Sequence, residues 1–297
     1  MRYCFCITAL LLSYTLLQAQ VITIKVSPPA TDAKVSTVHG EHLAFIDPSV
    51  KKINQLLLSI VGTGSNANGQ FSLDSFAATK GYHVVSIDYK NTVITTVCSN
   101  SEDSACFNNF RQEIMFGTPV SDLTDVDSAN SIYHRIWTLL HYLDIQYPKA
   151  GWSQYLVGKN INWPKINLVG HSQGAGHVAY LGKKFPVHKV FIFSGPQDYL
   201  VKFNSPASWT GRPSTTPYTA YYAFLHIKDP FDFNKQLAGC KKLLGPAKSD
   251  TCMVQPGLAV PAGKHILVTD IATNDAHGST LKPIFFKQWA YLLDAKN

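Results

Sequence analysis

Short apolar runs alternate with segments of helical spacing along most of this chain. Residues 21–26 alternate apolar and polar positions, which predicts a half-buried first strand. Residues 42–46 read as a second strand. Residues 56–61 are apolar except for Ser59, the pattern of a central strand buried on both faces. Residues 71–80 can form a helix, with Gly81 placed to end it, and residues 82–89 give the next strand. Ile132, Ile136, Leu139, Leu140 and Leu143 share one face of a long helix, with Asp127-Ser128 as its cap. Residues 166–169, 189–193, 221–227 and 266–271 are the remaining strands. Phe285, Trp289, Leu292 and Leu293 mark a closing helix. Strands alternating with helices predict an α/β fold: a mostly parallel, twisted sheet with helices on both faces. Two stretches, 91–125 and 199–216, are polar or rich in Pro, Ser and Thr, and read as excursions over the rim of the sheet. No internal repeat, low-complexity segment or second domain is visible.

Composition adds the compartment. Arg2 precedes an apolar stretch from Ile7 to Leu17, followed by Gln18-Ala19-Gln20. This predicts a signal peptide over residues 1–19, cut after Ala19, with one catalytic domain over 20–297 and a secreted or periplasmic location. An uncleaved anchor is the alternative, but the run is short for a bilayer span. No other stretch could cross a membrane. The formal net charge is +7. The basic residues are scattered in short pairs such as Lys183-Lys184, a solvated surface rather than a nucleic-acid stripe. Cys98, Cys106, Cys240 and Cys252 lie beyond the leader. An even number in an exported chain implies two disulfides, and the sequence-local pairs Cys98–Cys106 and Cys240–Cys252 are favoured because each brackets a turn-rich loop. No closely spaced ligand set suggests a metal. Asp122, Asp125 and Asp127 lack the spacing of a calcium loop and read as acids near a helix start.

The most informative segment is Gly170-His171-Ser172-Gln173-Gly174. It follows the apolar run 166–169 and precedes Ala175, Val178, Ala179 and Leu181 at helical spacing. This is G-x-S-x-G in its strand–turn–helix context, where the serine hydroxyl stands exposed on a strained turn. The plain alternative is a Gly/Ser turn. At these residues the chain resembles the α/β-hydrolase superfamily, of the secreted esterase and lipase type, from about residue 40 to the C-terminus.

That resemblance implies a chain order of nucleophile, acid and histidine, each partner after a strand. Ser172 is then the nucleophile. His277, in the polar loop after the last predicted strand, is the base. Asp229, at the end of the strand over 221–227, heads the candidate acids, with Asp198, Asp232 and Asp275 as alternatives. Each is also a common turn former. The oxyanion donors would be the N–H groups of Gln173 and Thr63, with Gly64 second for the latter. Gly62-Thr63-Gly64 has no following G-K-[ST], so a nucleotide cradle is not supported. The implied activity is hydrolysis of carboxylic esters through an acyl-enzyme. No cofactor is called for. The substrate would be a small-molecule or polymeric ester, with no nucleic acid, and the chain a monomer. A peptidase or amidase on the same triad, or a catalytically silent binding protein, are the alternatives. Tyr89, Trp209, Phe231 and Phe233 are candidates to line an acyl pocket, although aromatic residues are as often core.

Overall fold

The structure, a computed structural model, describes residues 21–246 and 250–295. The leader expected over residues 1–19 lies outside the described residues. Nine strands form the main sheet. They are β1 (Ile22–Val26), β2 (His42–Ile46), β3 (Leu56–Ile60), β4 (His83–Ile87) and β5 (Ile166–His171). They continue with β6 (Lys189–Phe193), β7 (Tyr221–His226), β8 (Thr251–Met253) and β9 (Ile266–Thr269). Their spatial order is β1-β2-β4-β3-β5-β6-β7-β9-β8. β2 runs antiparallel to β1 and to β4, and every other pairing is parallel.

The period-2 alternation of β3 divides its side chains between two cores. Leu56, Leu58 and Ile60 face one apolar layer, which also takes in Ala175, Val178 and Ala179 of the helix Gln173–Lys184 and Ile136, Leu139 and Leu143 of the helix Ile132–Gln146. Leu57 faces the other layer, with Leu73 and Ala77 of the helix Phe71–Thr79 and Trp289 and Leu292 of the helix Phe286–Asp294. Both faces of the sheet are covered, which is why β3 and its neighbours are near-continuously apolar. This strand order with helices on both faces is the α/β-hydrolase fold. Among the described residues no helix is long and apolar enough to cross a membrane.

Several details differ from the sequence reading. The stretch 91–125 contains the helix Cys106–Phe116, whose buried face carries Phe107, Phe110, Ile114 and also Arg111. Its apolar spacing is helical, but Asn, Gln and Arg between those positions hide it in a polar segment. The helix Phe233–Leu244 and the edge strand β8 were not anticipated. The long helix starts at Ile132, with the Ser131 side chain accepting from His134 N–H. Asp127 instead accepts the Asn130 N–H at 2.8 Å.

The Cys98–Cys106 disulfide is formed, with Cα atoms 5.6 Å apart. The expected Cys240–Cys252 bond is overturned: both are free thiols. Cys240 packs in the first core layer, where its Sγ meets the Gly195 carbonyl at 3.2 Å, while Cys252 packs against the second. The sheet stands between them, so proximity in sequence does not bring the sulfurs together. Burial also pushes the Cys240 thiol far above its ordinary range. In protein lacking residues 1–19, thiol titration in denaturant is expected to find two free cysteines. In the native state Cys252 should react first and Cys240 only on unfolding. Four titrated thiols, or none, would contradict this pairing.

Candidate active site

In this sheet β3 continues to β4 on one side, and β5 then returns to the other flank of β3. That reversal makes the carboxyl ends of β3 and β5 a switch point of the sheet, the place where open α/β sheets bind ligands. The loop after β3 carries Thr63, and the turn after β5 carries Ser172.

Ser172 has φ +59° and ψ −122°, a conformation that non-glycine residues adopt only when the surroundings impose it. Two contacts impose it here. The Ser172 N–H donates to Phe193 O of β6 at 3.0 Å. The following helix lies so close to β3 that a Cβ on Gly174 would fall 1.9 Å from the Ile60 carbonyl oxygen. The chain must therefore turn sharply at residue 172, and the helix N-terminus lies directly behind the serine.

The loop after β3 is fastened on both sides. The Asn91 side chain donates to Gly62 O at 3.0 Å and to Ser65 O at 2.6 Å. Thr63 Oγ1 donates to Gln173 Oε1 at 2.5 Å, which ties this loop to the elbow. Gly64 N–H is already donated to Asn91 O at 3.1 Å. Gly62 passes beside the serine so closely that its Cβ would lie 2.9 Å from Ser172 Cβ.

His277 and Asp229 are brought together: His277 Nδ1 lies 2.8 Å from Asp229 Oδ2. Burial alone would raise the Asp229 carboxyl, but hydrogen bonds from His277 and from Phe231 N–H hold it below the ordinary value, so it is a carboxylate at neutral pH. The loop holding His277 is pinned through its carbonyl oxygen, which accepts from Ser194 Oγ at 2.7 Å and bonds His171 Nε2 at 2.9 Å. The His277 ring is flanked by those of His171 and Phe231, each with centroids 4.7 Å away. Burial and the neighbouring His277 lower the His171 pKa to about 4, so His171 is neutral at pH 7 and adds no charge beside His277.

The other acids are occupied elsewhere. Asp198 is fully buried in an ion pair with Arg111, whose Nε reaches it at 2.6 Å, and it also accepts from Trp209 Nε1 at 2.8 Å. Asp232 caps the helix Phe233–Leu244 by accepting from Asn234 and Lys235 N–H. Asp275 accepts the Gly278 N–H at 2.8 Å. Of the aromatic candidates, Phe231 touches the His277 ring. Tyr89 is buried and donates to Val61 O at 2.7 Å, Trp209 braces Asp198, and Phe233 packs against the first core layer.

Sequence reasoning did not single out Gln197, His171, Asn91 or Arg111. Gln197 Nε2 donates to Ser172 Oγ at 3.1 Å. Arg111 packs beneath the elbow and donates to Gln173 O at 3.2 Å. His171 was available as the residue before the serine, and Gln197 as the neighbour of a weighed acid. Nothing local marked Arg111 or Asn91. Among the described residues, no group of three or more His, Cys, Asp or Glu side chains is arranged to hold a metal.

No family model matches the chain, and no curated protein sequence matches it. Among solved structures it is similar to a candidate dienelactone hydrolase from Klebsiella pneumoniae, at 10% identity and a TM-score of 0.49, over 93% of this chain and 99% of that one. It is also similar to the protein TT1662 from Thermus thermophilus, at 15% identity and a TM-score of 0.46, over 93% of this chain and 100% of that one. The α/β-hydrolase fold is defined here by the strand order and the elbow, both features of this chain itself.

The two acids should separate cleanly on substitution. Asp229→Asn keeps the volume but leaves His277 unsupported, and is expected to lower kcat by about 10³–10⁴-fold with little change in melting temperature. Asp198→Asn leaves the Arg111 guanidinium buried without a counter-charge, and is expected to cost about 3–5 kcal/mol of stability. Ester-hydrolysis assays and thermal melts on both variants check this. Activity loss in the stable Asp198→Asn protein, with Asp229→Asn active, would reverse the assignment.

Proposed function

We propose that this chain is an exported serine hydrolase that cleaves carboxylic esters through an acyl-enzyme. The observation that carries the reading is the strained turn at Ser172 beside the fastened Gly62–Thr63 loop, together with the Asp229–His277 pair, whose His277 carbonyl is tied to His171, the residue before the serine. A serine hydroxyl is a poor nucleophile at neutral pH and needs a base that is itself oriented. Asp229 fixes Nδ1 of His277, which leaves Nε2 to take the Ser172 proton. Oγ then bonds to the ester carbon, and the carbonyl oxygen becomes an oxyanion. The N–H groups of Gln173 and Thr63 are the proposed donors to it, each contributing about 3–4 kcal/mol. His277 returns its proton to the departing alcohol oxygen. Water, deprotonated by the same histidine, then releases the acid and restores Ser172.

Export is supported by the apolar leader in the sequence and by the Cys98–Cys106 disulfide, a bond that persists in oxidising compartments.

A fluorophosphonate probe is expected to label the wild-type chain at Ser172, and Ser172→Ala is expected to abolish labelling and ester turnover while the fold persists. The residual kcat should be below about a thousandth of wild type. Turnover of p-nitrophenyl esters should far exceed that of p-nitroanilide peptides. The opposite preference would make the chain an amidase, and no labelling at all would make it a binding protein on this fold.

A further inference from the structure

Gln197 makes the one side-chain hydrogen bond seen to the hydroxyl of Ser172 among the described residues, with its Nε2 donating to Oγ at 3.1 Å. The group is almost completely buried, so this N–H has little water to turn to. Nor is its backbone free to move. The Gln197 carbonyl accepts from Tyr199 N–H at 2.9 Å, and Ala207 N–H donates to Asp198 O at 2.8 Å. The Asp198 side chain is locked by Arg111 and Trp209. The segment that begins with Ser194 is fastened at its other end by the Ser194 N–H to Phe224 O bond of 3.0 Å and the Ser194 Oγ bond to His277 O. A fixed donor is thus aimed at the nucleophile from β6. Thr63, after β3, lies on the opposite flank of β5.

Resting on the serine-hydrolase reading above, we propose that Gln197 is a catalytic residue that speeds release of the acyl group rather than its capture. The reason is the change in Oγ as an acceptor during the cycle. In the free enzyme Oγ is a hydroxyl oxygen and accepts the Gln197 N–H well. During attack it carries developing negative charge and still accepts it, so the bond is present in both ground state and transition state of acylation. It therefore changes that barrier little. In the acyl-enzyme Oγ is the alkyl oxygen of an ester, with a lone pair delocalised into the carbonyl, and is a poor acceptor. The buried amide is then left under-satisfied, which raises the energy of the acyl-enzyme.

In deacylation, water gives a proton to His277 Nε2 and bonds to the acyl carbon. Oγ becomes tetrahedral-intermediate oxygen and then leaves, as the C–Oγ bond breaks and the proton passes from Nε2 to Oγ. Oγ recovers its strength as an acceptor along this path, and the Gln197 bond reforms. The donor thus lowers the barrier to deacylation alone and keeps acyl-enzyme from accumulating.

Gln197→Leu removes the donor at similar size. With p-nitrophenyl acetate, its deacylation rate should fall about tenfold, the factor expected for an amide bond recovered only in the transition state. A stopped-flow burst approaching one equivalent of p-nitrophenol should appear. The kcat and KM should fall together, with kcat/KM and the rate of fluorophosphonate labelling held within about threefold of wild type. A residue that only shaped the fold would not give this split. If kcat/KM and labelling fall with kcat, or if neither phase changes, the proposal is overturned while the Ser172 assignment stands. If the wild-type chain is not labelled at Ser172, the hydrolase reading fails and takes this one with it. Should Gln197→Leu not fold, as judged by circular dichroism, Gln197→Met, which keeps the length of the side chain and cannot donate, should give the same burst. Failure of both variants to fold would assign Gln197 to structure and overturn the proposal.

Discussion

The site depends on one steric permission, the missing side chain at Gly174. The helix after the serine leans on β3 so closely that even a methyl group there would overlap the Ile60 carbonyl oxygen. Because the helix is pressed that far in, the chain has no gradual route from β5 into it. Residue 172 absorbs the turn in a left-handed backbone conformation. The same approach brings the helix N-terminus against the loop after β3, so that Thr63 can bond the Gln173 side chain and Gly62 can pass beside the serine. A larger residue at 174 would displace the helix, relax the turn and open the loop together. The strain at Ser172 and the position of the loop after β3 are thus two results of one packing contact.

Behind the elbow lies a buried polar framework. Arg111 and Asp198 are both buried, and each has its fork or carboxylate filled: Arg111 by Asp198 and Gln173 O, Asp198 by Arg111 and Trp209. A pair of this kind adds little net stability, but losing one partner is expensive, so it holds geometry. It joins the elbow helix, the helix Cys106–Phe116 and the segment after β6, and so sets where Gln197 stands. On the other side, the His277 carbonyl is held by Ser194 and His171, the first from the end of β6 and the second from the end of β5. His277 is thereby referenced to the same two strands as Ser172. Asp229 contributes charge as well as position, because its carboxyl is kept ionised while buried.

The sequence by itself determined the alternation of strands and helices, the sheet buried on both faces, and the elbow at Ser172. These follow from local periodicity and from two glycines around a serine, and neither needs a distant residue to be read. The chain order that the resemblance implies also ranked Asp229 and His277 among their competitors. Only the tertiary structure decided that Asp229, rather than Asp198, faces His277, since an Arg 87 positions away claims Asp198. It alone separated Cys240 from Cys252 by placing them on opposite faces of the sheet, and it alone turned Gln197 toward Ser172. The physical reason is common to all three. A side chain's periodicity and turn chemistry are set by its neighbours in sequence, whereas its hydrogen-bond partner is set by which strands lie side by side, and no short stretch of chain carries that information.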